Sequence, residues 1–298
     1  MNHISKNIKV ESISSRCNLP VHVDVFRMDE VHPLISGNKW FKLKQYLVEA
    51  EQFDKKVIVT FGGPYSNHII ATAAAGKELG IKTAGVIRGE QPATPSHTLK
   101  NAELFQMKLF FTSREHYKMK TIPQQLLEMY ASDQLYIIPE GGYGQQGMAG
   151  IREVYNLYNL QKYDYILCAV GTGTTLAGLI AAAPPNQKLI GISVFKNNFS
   201  LEQQVEILLG GHNNNFQIIH DFHFGGYAKY NEELISFMND YYNKTSIPSD
   251  FVYTGKLFFA VDQLIKLKFF PKSSSILILH SGGLQGNDSL RKGTLIFR

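Results

Sequence analysis

Short runs of β-forming residues alternate with amphipathic or alanine-rich segments along most of this 298-residue chain. Several runs are continuous in valine, isoleucine and leucine, which is typical of strands buried on both faces of a sheet. Strands that alternate with helices favour parallel sheets covered by helices. We therefore predict an α/β fold with strands over residues 21–26, 56–61, 83–88, 109–112, 135–139, 165–170, 189–194, 216–220 and 276–280.

The segments between those strands have helical character. We predict helices over residues 39–52, 67–79, 98–106, 122–131, 147–157, 176–183, 201–209, 231–242 and 256–267. Residues 139–146 carry three glycines and are the best candidate for a crossover between two domains, whereas the asparagine-rich stretch 210–215 is typical of an exposed loop. No other stretch resembles a linker, so we expect two closely packed domains.

Composition argues against several classes of protein. With 44% hydrophobic and 18% charged residues, the chain is too apolar to be intrinsically disordered. The net charge of +5 is spread along the sequence without a run of five like charges, so we expect no nucleic-acid or membrane partner. The sequence shows neither a signal-peptide pattern at its start nor an 18-residue apolar run, and we expect a soluble cytoplasmic protein.

Glycine-rich turns follow three predicted strands, at the position where open α/β sheets bind ligands. In the segment GTGTT, Gly171 and Gly173 let backbone N–H groups approach an anion, and Thr172, Thr174 and Thr175 add hydroxyl donors. The pattern lacks the lysine of a Walker A loop and the third glycine of a dinucleotide fingerprint. It predicts a site for a phosphate monoester, although a plain tight turn before a helix accounts for the same residues.

A lysine stands in the first turn of the helix predicted to begin at residue 39. Lys39 faces the positive end of the helix dipole there, which disfavours the charged ammonium and favours the neutral amine. A neutral amine is what Schiff-base chemistry requires. The alternative is a solvated surface lysine, and we expect such cases among the neighbouring Lys42 and Lys44.

Polar side chains stand at the start of two other predicted helices. Ser66 and Asn67 follow a Gly-Gly turn, where exposed N–H groups can bind a carboxylate; simple helix capping explains either residue equally well. Tyr253 can serve as a proton donor or, if its pKa falls, as a base, and a packed tyrosine would look the same. His220 and His223 are ligand types, but residues three apart on a strand point to opposite faces, so we predict no metal site.

Five segments together resemble one family. Residues 36–42 (SGNKWFK) resemble the GGNKxRK segment of the 1-aminocyclopropane-1-carboxylate (ACC) deaminase and D-cysteine desulfhydrase family, which are pyridoxal-phosphate (PLP) enzymes of the tryptophan-synthase-β-like fold. Residues 66–68 (SNH) are similar to its SNQ/SNH turn and residues 171–175 to its phosphate loop. Residues 252–256 (VYTGK) are similar to its PVYxGK motif and residues 280–283 (HSGG) to its HTGG turn. The segments come in the family's order and span nearly the whole chain.

The resemblance implies an architecture. It is a two-domain, three-layer αβα fold with mostly parallel sheets, known as PLP fold type II. Residues 1–44 and 156–298 would form a large PLP-binding domain, and residues 45–155 a smaller inserted α/β domain, with PLP between the two. The resemblance also implies a homodimer and a small amino acid as the substrate.

The resemblance also implies roles for individual residues. Lys39 would bind PLP covalently, and Asn67 would lie against the cofactor ring. Ser66 would contact the substrate carboxylate, and Tyr253 would act in substrate proton transfer, with Tyr227 as a second active-site tyrosine. The remaining contacts would be Thr254 near the pyridine nitrogen and, at the phosphate, Gly171, Thr172, Gly173, Thr174 and Thr175.

One position separates the two activities of the family. ACC deaminases carry glutamate after the motif tyrosine and D-cysteine desulfhydrases carry threonine; this chain has Thr254. A neutral hydroxyl in place of a carboxylate keeps the ring nitrogen largely unprotonated and weakens the electron sink. The resemblance thus favours a D-cysteine desulfhydrase-like α,β-elimination, in which Lys39 takes the α-proton and the products are pyruvate, ammonia and sulfide.

Three alternatives stay open. The chain can be an ACC deaminase, which opens ACC to 2-oxobutanoate and ammonia, or a racemase or dehydratase of the same fold acting on another amino acid. It can also be a catalytically inert protein that binds PLP. Several residues depart from the family pattern, and we expect these changes to surround the pocket; they are Trp40-Phe41, Pro64-Tyr65, Phe251 and Ser281.

Overall fold

The computed structural model of the chain describes residues 8–32 and 35–298. Its strands are β1 Val10–Ser12, β2 His22–Phe26, β3 Val57–Gly62, β4 Lys82–Arg88, β5 Lys108–Thr112, β6 Leu135–Ile138, β7 Tyr165–Val170, β8 Lys188–Ser193, β9 Phe216–Ile219 and β10 Ser275–Leu279. Its helices are α1 Asn38–Gln52, α2 Asn67–Leu79, α3 His97–Leu104, α4 Arg114–Lys118, α5 Gln124–Met129, α6 Gln145–Leu157, α7 Thr174–Ile180, α8 Leu201–Leu209, α9 Glu232–Thr245 and α10 Thr254–Lys266.

All nine predicted strands and all nine predicted helices are confirmed, with ends that differ by a few residues. Two short elements were not predicted: β1, a three-residue edge strand without room for an alternating pattern, and the five-residue helix α4. Residues 1–7 lie outside the described residues, so the absence of a signal peptide, which was argued partly from them, stays a prediction.

The larger sheet has six strands in the order β1-β2-β10-β7-β8-β9. Only the edge pair β1–β2 is antiparallel, and the other pairs are parallel. Side chains of β7 alternate between two cores: Ile166, Cys168 and Val170 pack on one face, and Leu167 and Ala169 on the other. This burial on both faces explains the continuous apolar runs in the sequence.

The smaller sheet has four parallel strands in the order β5-β4-β3-β6. It is also covered on both faces: Val57 and Val59 pack with Leu126 of α5, whereas Ile58 joins the core that contains α1. The predicted α/β class with mostly parallel sheets between helices is therefore confirmed. All four strands lie within residues 45–155, but the domain boundaries themselves stay a prediction, because α1 and α6 run across them.

Helices α1 and α6 pack closely between the two sheets. A Cβ atom at Gly150 of α6 would lie 1.9 Å from the carbonyl oxygen of Phe41 in α1, so the contact depends on glycine. Among the described residues, no helix has both the length and the apolar character that a membrane span needs.

Candidate active site

A cleft of about 750 Å³ opens at the carboxyl ends of the parallel strands of both sheets. Its walls are formed by the last residue of β4, by the turns that follow β3, β6, β7, β8 and β10, and by the start of α1. Glu140 is the one carboxylate among the described residues that line it. The predicted site residues that line it are Lys39, Ser66, Asn67, Gly171, Thr172, Gly173, Thr175, Tyr227 and Tyr253; Thr174 and Thr254 do not.

A close approach of two backbones fixes the start of α1. Gly37 has a φ of +70°, and a Cβ atom there would lie 1.8 Å from the carbonyl oxygen of Ser281. The backbone N–H of Asn38 donates to that same oxygen at 3.2 Å, and its side-chain amide donates to Thr175 Oγ1 at 2.8 Å. Helix α1 therefore begins between the turns that follow β7 and β10, and this position places Lys39 in the cleft.

Lys39 is half-buried, and its Nζ donates to Asn38 Oδ1 at 3.2 Å. Burial lowers the pKa of Lys39 to about 8, although the carboxylate of Asp250 acts in the opposite direction. The sequence suggested the helix end as the cause, whereas loss of water is the larger effect in the structure. A pKa near 8 leaves much of the amine neutral, so that it can serve as a nucleophile and as a base.

Lys42 is not the surface lysine that the sequence suggested, since only 3% of it is exposed. Its Nζ lies 3.4 Å from the carbonyl oxygen of Gly141, and burial followed by the charge of Lys39 lowers its pKa well below the usual value. Gly141 in turn lies against Thr172 of the turn after β7. The three-residue spacing from Lys39, which puts both on one face of α1, was the signal in the sequence.

The turn after β7 brings several hydrogen-bond donors to the cleft. Gly173 has a φ of +79° and opens α7, whose first N–H groups have no partner within the helix. The hydroxyls of Thr172 and Thr175 lie beside them on the cleft wall. Thr174 is fully buried behind the wall, and its Oγ1 lies 3.1 Å from that of Thr172. These donors, with the ammonium of Lys42 nearby, form the set that a phosphate needs.

Ser66 and Asn67 form the start of α2. Ser66 is the N-cap, and its Oγ accepts from the N–H groups of His68 and Ile69 at 3.2 and 3.4 Å, which leaves its own proton available to a ligand. The Oδ1 atom of Asn67 is buried and has no hydrogen-bond partner among the described residues. Because buried polar atoms are normally hydrogen-bonded, an unpartnered amide oxygen on a cleft wall indicates that a ligand supplies its hydrogen-bond partner.

His68 is a site residue that the analysis of the sequence did not single out. It is 2% exposed and lines the cleft beside the two lysines. Thr60 Oγ1 donates its one proton to the carbonyl oxygen of Ile138 at 2.8 Å. In its contact with His68 Nε2, also at 2.8 Å, the threonine oxygen is therefore the acceptor and the histidine N–H is the donor. Its Nδ1 is then an acceptor, unpartnered among the described residues. Burial and the charges of Lys39 and Lys42 lower the pKa of His68 and keep it neutral.

Two tyrosines meet on the wall of the cleft. The rings of Tyr227 and Tyr253 lie 5.9 Å apart at 73°, and Tyr227 also stacks on Phe195 at 5.5 Å. Burial, followed by the neighbouring Tyr227, raises the pKa of Tyr253 well above its usual value. The phenol therefore stays protonated and acts as a donor; the alternative of a tyrosinate base is not favoured.

Thr254 lies behind the cleft wall and is fully buried. Its hydroxyl donates to Asp250 Oδ1 at 2.7 Å and accepts from the N–H of Asp250 at 2.8 Å. The same carboxylate accepts from the N–H groups of Val252, Tyr253 and Thr254, so Asp250 caps the start of α10. The contact between Thr254 and a ring nitrogen stays a prediction.

The departures from the family pattern fall in two places. Pro64, Tyr65 and Ser281 line the cleft, as expected. The expectation is wrong for the other three, which are buried in the hydrophobic cores with 2–4% exposure; these are Trp40, Phe41 and Phe251. They pack in the cores and do not line the cleft.

The two histidines considered for a metal site have other contacts. His220 Nε2 lies 2.8 Å from Glu202, and His223 Nδ1 accepts from the N–H of Gly225 at 2.9 Å. Both follow Ile219, where β9 ends, so the argument from strand faces does not apply to them. Within residues 8–32 and 35–298, no group of three or more such side chains could hold a metal ion.

The residues present fit PLP. They offer an amine of lowered pKa, a turn rich in hydrogen-bond donors near the buried amine of Lys42, and an unpartnered amide oxygen. These three features lie on one cleft and come from α1, α2 and the turn before α7. Lys39 would hold the cofactor's aldehyde carbon, Asn67 would face its ring, and Thr172 and Thr175 would bind its phosphate.

Comparisons with known proteins agree with that fit. The family model described as pyridoxal-phosphate dependent enzyme matches residues 8–282. A putative ACC deaminase of Pyrococcus abyssi is 30% identical over 291 residues, which cover 91% of this chain and 88% of the relative. The D-cysteine desulfhydrase of Salmonella typhi is 26% identical over 280 residues, covering 86% and 85%. The crystal structure of an ACC deaminase homologue has a TM-score of 0.76 at 25% identity, covering 95% and 91% of the two chains.

Proposed function

The chain belongs to the pyridoxal-phosphate dependent enzymes, and from this membership we propose that it is a deaminating lyase acting on a small amino acid with a β leaving group, D-cysteine before others. PLP is the cofactor, and when bound it supplies the electron sink that makes the substrate's α-proton acidic. The relatives named as ACC deaminase and D-cysteine desulfhydrase support lyase or deaminase chemistry.

The start of α2 is the proposed carboxylate site. Ser66 lines the cleft, and because its oxygen already accepts from the N–H groups of His68 and Ile69, its hydroxyl proton is the group that can bind an anion. A carboxylate held there lies in the same cleft as Lys39 and the tyrosine pair. We assign to Ser66 the orientation of the substrate and to Lys39 the removal of its α-proton.

The absence of an acidic group on the inner walls is the observation that carries the proposal of β-elimination. Among the described residues that line the cleft, Glu140 is the one carboxylate, and it pairs with Lys120 at 2.5 Å. The residue after Tyr253, where ACC deaminases carry glutamate, is Thr254. A weaker electron sink suits a reaction that starts with loss of an α-proton, which ACC lacks.

Lys39 and Tyr253 supply the proton transfer and the hydrogen bond that the elimination needs. Lys39 takes the α-proton, and the bond from the β-carbon to sulfur breaks with its electron pair leaving on the sulfur. Tyr253, held protonated, donates a hydrogen bond to the charge that develops there. The aminoacrylate that remains hydrolyses to pyruvate and ammonia.

A product assay tests the proposal. The purified enzyme loaded with PLP is incubated with D-cysteine, D-serine and ACC, and pyruvate, sulfide and 2-oxobutanoate are measured. We expect pyruvate and sulfide from D-cysteine, with activity abolished by Lys39→Ala and retained by Lys44→Ala on the same helix. Formation of 2-oxobutanoate from ACC at a comparable rate would instead support ACC deaminase, and no product from any of the three would refute a lyase of this class.

The assembly and location are separate proposals that the resemblance alone supports. We propose a homodimer with PLP between a large and an inserted small domain in each subunit, located in the cytoplasm. Sedimentation equilibrium of the purified protein tests the dimer: a mass twice the 33.6 kDa of the chain is expected.

A further inference from the structure

Lys256 is a buried cation for which the reaction proposed above has no use. Its side chain is fully buried in the first turn of α10, where the end of the helix itself carries positive potential. Burying an ammonium is unfavourable unless hydrogen bonds compensate for the lost water. The partners of this lysine therefore indicate what it does.

The ammonium of Lys256 binds a single loop. Its Nζ donates to the carbonyl oxygen of His223 at 2.8 Å and to that of Gly226 at 2.7 Å. Each oxygen also accepts a local backbone N–H, that of His223 from Gly226 and that of Gly226 from Lys229. This loop, residues 222–228, is called here the tyrosine loop; it lies between β9 and α9 and carries Tyr227.

The backbone of the tyrosine loop is strained. Four of its residues have left-handed φ values, namely Phe224 at +50°, Gly225 at +89°, Gly226 at +115° and Ala228 at +54°. Residues other than glycine rarely adopt such values, and they persist only where the surroundings hold them. The loop therefore needs anchors from outside itself.

Helix α10 supplies those anchors. The ring of Phe224 packs on Phe259 of α10, with centroids 4.8 Å apart, one turn from Lys256. At the far end of the loop, Tyr227 meets Tyr253, which directly precedes α10. Both tyrosines of the cleft are thus positioned by one helix start, Tyr253 directly and Tyr227 through the loop.

We propose that Lys256 is a positioning residue that fastens the tyrosine loop to α10 and so holds Tyr227 against Tyr253. It does not line the cleft and acts only through the loop. The part of this inference that concerns catalysis rests on the proposed function, whereas the tether itself does not.

Hydrogen exchange of the PLP-loaded enzyme tests the tether. Lys256→Met keeps the length of the side chain but removes its donors, and Lys266→Met, at an exposed position of the same helix, is the matched control. We expect amides of residues 221–229 to exchange about tenfold or more faster in Lys256→Met, as for loss of bonds from a charged donor, with the rest of the chain unchanged. Lys256→Gln supplies a shorter neutral donor, and its exchange rates in the loop should lie between those of the wild type and of Lys256→Met. It takes the place of Lys256→Met if the methionine variant does not fold. Unchanged exchange in the loop, or faster exchange throughout the chain, overturns the proposal.

A double-mutant cycle with Tyr227→Phe tests the positioning. If Lys256 acts through Tyr227, Lys256→Met should lower kcat about tenfold in the wild-type enzyme. In an enzyme that already carries Tyr227→Phe, the same substitution should change kcat very little. Losses that simply add would overturn the positioning role. Lack of activity in the wild-type enzyme would count against the proposed function, and the exchange measurement would still decide the tether.

Discussion

Two lysines on one face of α1 line the cleft. Both lose water, and the charge of Lys39 lowers the pKa of Lys42 further, so the pair favours states in which one of them meets an anion. Lys42 contacts Gly141, which lies against the turn after β7, whereas Lys39 contacts only its neighbour Asn38 among these groups. We therefore assign the phosphate to Lys42 and the covalent bond to Lys39.

Capture of PLP by the cofactor-free protein should depend on pH through Lys39. Only the neutral amine attacks, and its fraction rises as the pH passes the pKa, which burial lowers from 10.5 to about 8. The rate of appearance of the absorbance band near the violet edge of the visible should therefore increase with pH and level off above about 9. A midpoint at the ordinary value of lysine would contradict this account.

Loss of the Lys42 ammonium should weaken PLP binding without preventing it. Lys42→Met keeps the buried volume but removes the charge, and we expect the dissociation constant of PLP to rise about tenfold to a hundredfold. Spectroscopic titration measures this, with Lys44→Met as the control on the surface of the same helix. Equal affinities for the two variants would show that Lys42 does not bind the phosphate.

The site residues that the sequence indicated have a local signal, and those that it missed do not. Lys39, Ser66 and Tyr253 stand beside turns whose residue pattern is visible along the chain. Lys42 and His68 depend on burial and on contacts distant in sequence: Gly141 accepts from Lys42, and Ile138 accepts from the Thr60 hydroxyl that faces His68. A sequence pattern cannot show such burial.

The starts of four helices build the site. Each is fixed in its own way: a backbone contact at Gly37 for α1, the Ser66 hydroxyl for α2, a left-handed Gly173 for α7 and the Asp250 carboxylate for α10. Each start places at least one cleft residue, because the side chains that follow are held within about one turn of the fixed point. Periodicity predicted these helices but not the contacts that fix their starts.

A methyl group at Gly37 should displace α1 and impair cofactor binding. Gly37→Ala places its Cβ 1.8 Å from a backbone oxygen, whereas Gly210→Ala, at a similar φ of +76°, meets nothing within 4 Å. Their backbones differ, since Gly37 has a ψ of −146° and Gly210 a ψ of 15° in the left-handed helical region. Alanine is therefore more strained at Gly37 even before the clash, and Gly210→Ala controls for the loss of a glycine at positive φ. Thermal melting and PLP titration should show a large loss for Gly37→Ala alone.

The carboxylate cap of α10 should contribute measurably to stability. Asp250→Asn leaves buried N–H donors facing an amide, and we expect the free energy of unfolding to fall by about 1–3 kcal/mol. Asp262→Asn, on the same helix in a partly exposed pair with Lys266, should cost less than about 1 kcal/mol. Urea denaturation compares them, and equal losses would show that Asp250 is not a cap.

Over the whole molecule, the two ends of the chain meet at one cleft. Strand β10 pairs with β2, about 250 residues earlier in sequence, and the turn after β10 receives the first N–H of α1. The order of the sequence motifs predicted this convergence in outline. The strand order itself could not be predicted, because apolar runs buried on both faces carry no information about which neighbours they pair with.

The account as a whole depends on one covalent bond between PLP and Lys39. Borohydride reduction of the loaded protein, followed by proteolysis and mass spectrometry, locates that bond directly. We predict a phosphopyridoxyl group on the peptide that contains Lys39, and none on that peptide in Lys39→Ala. A label on Lys42 or Lys256 instead, or no label at all, would contradict the account.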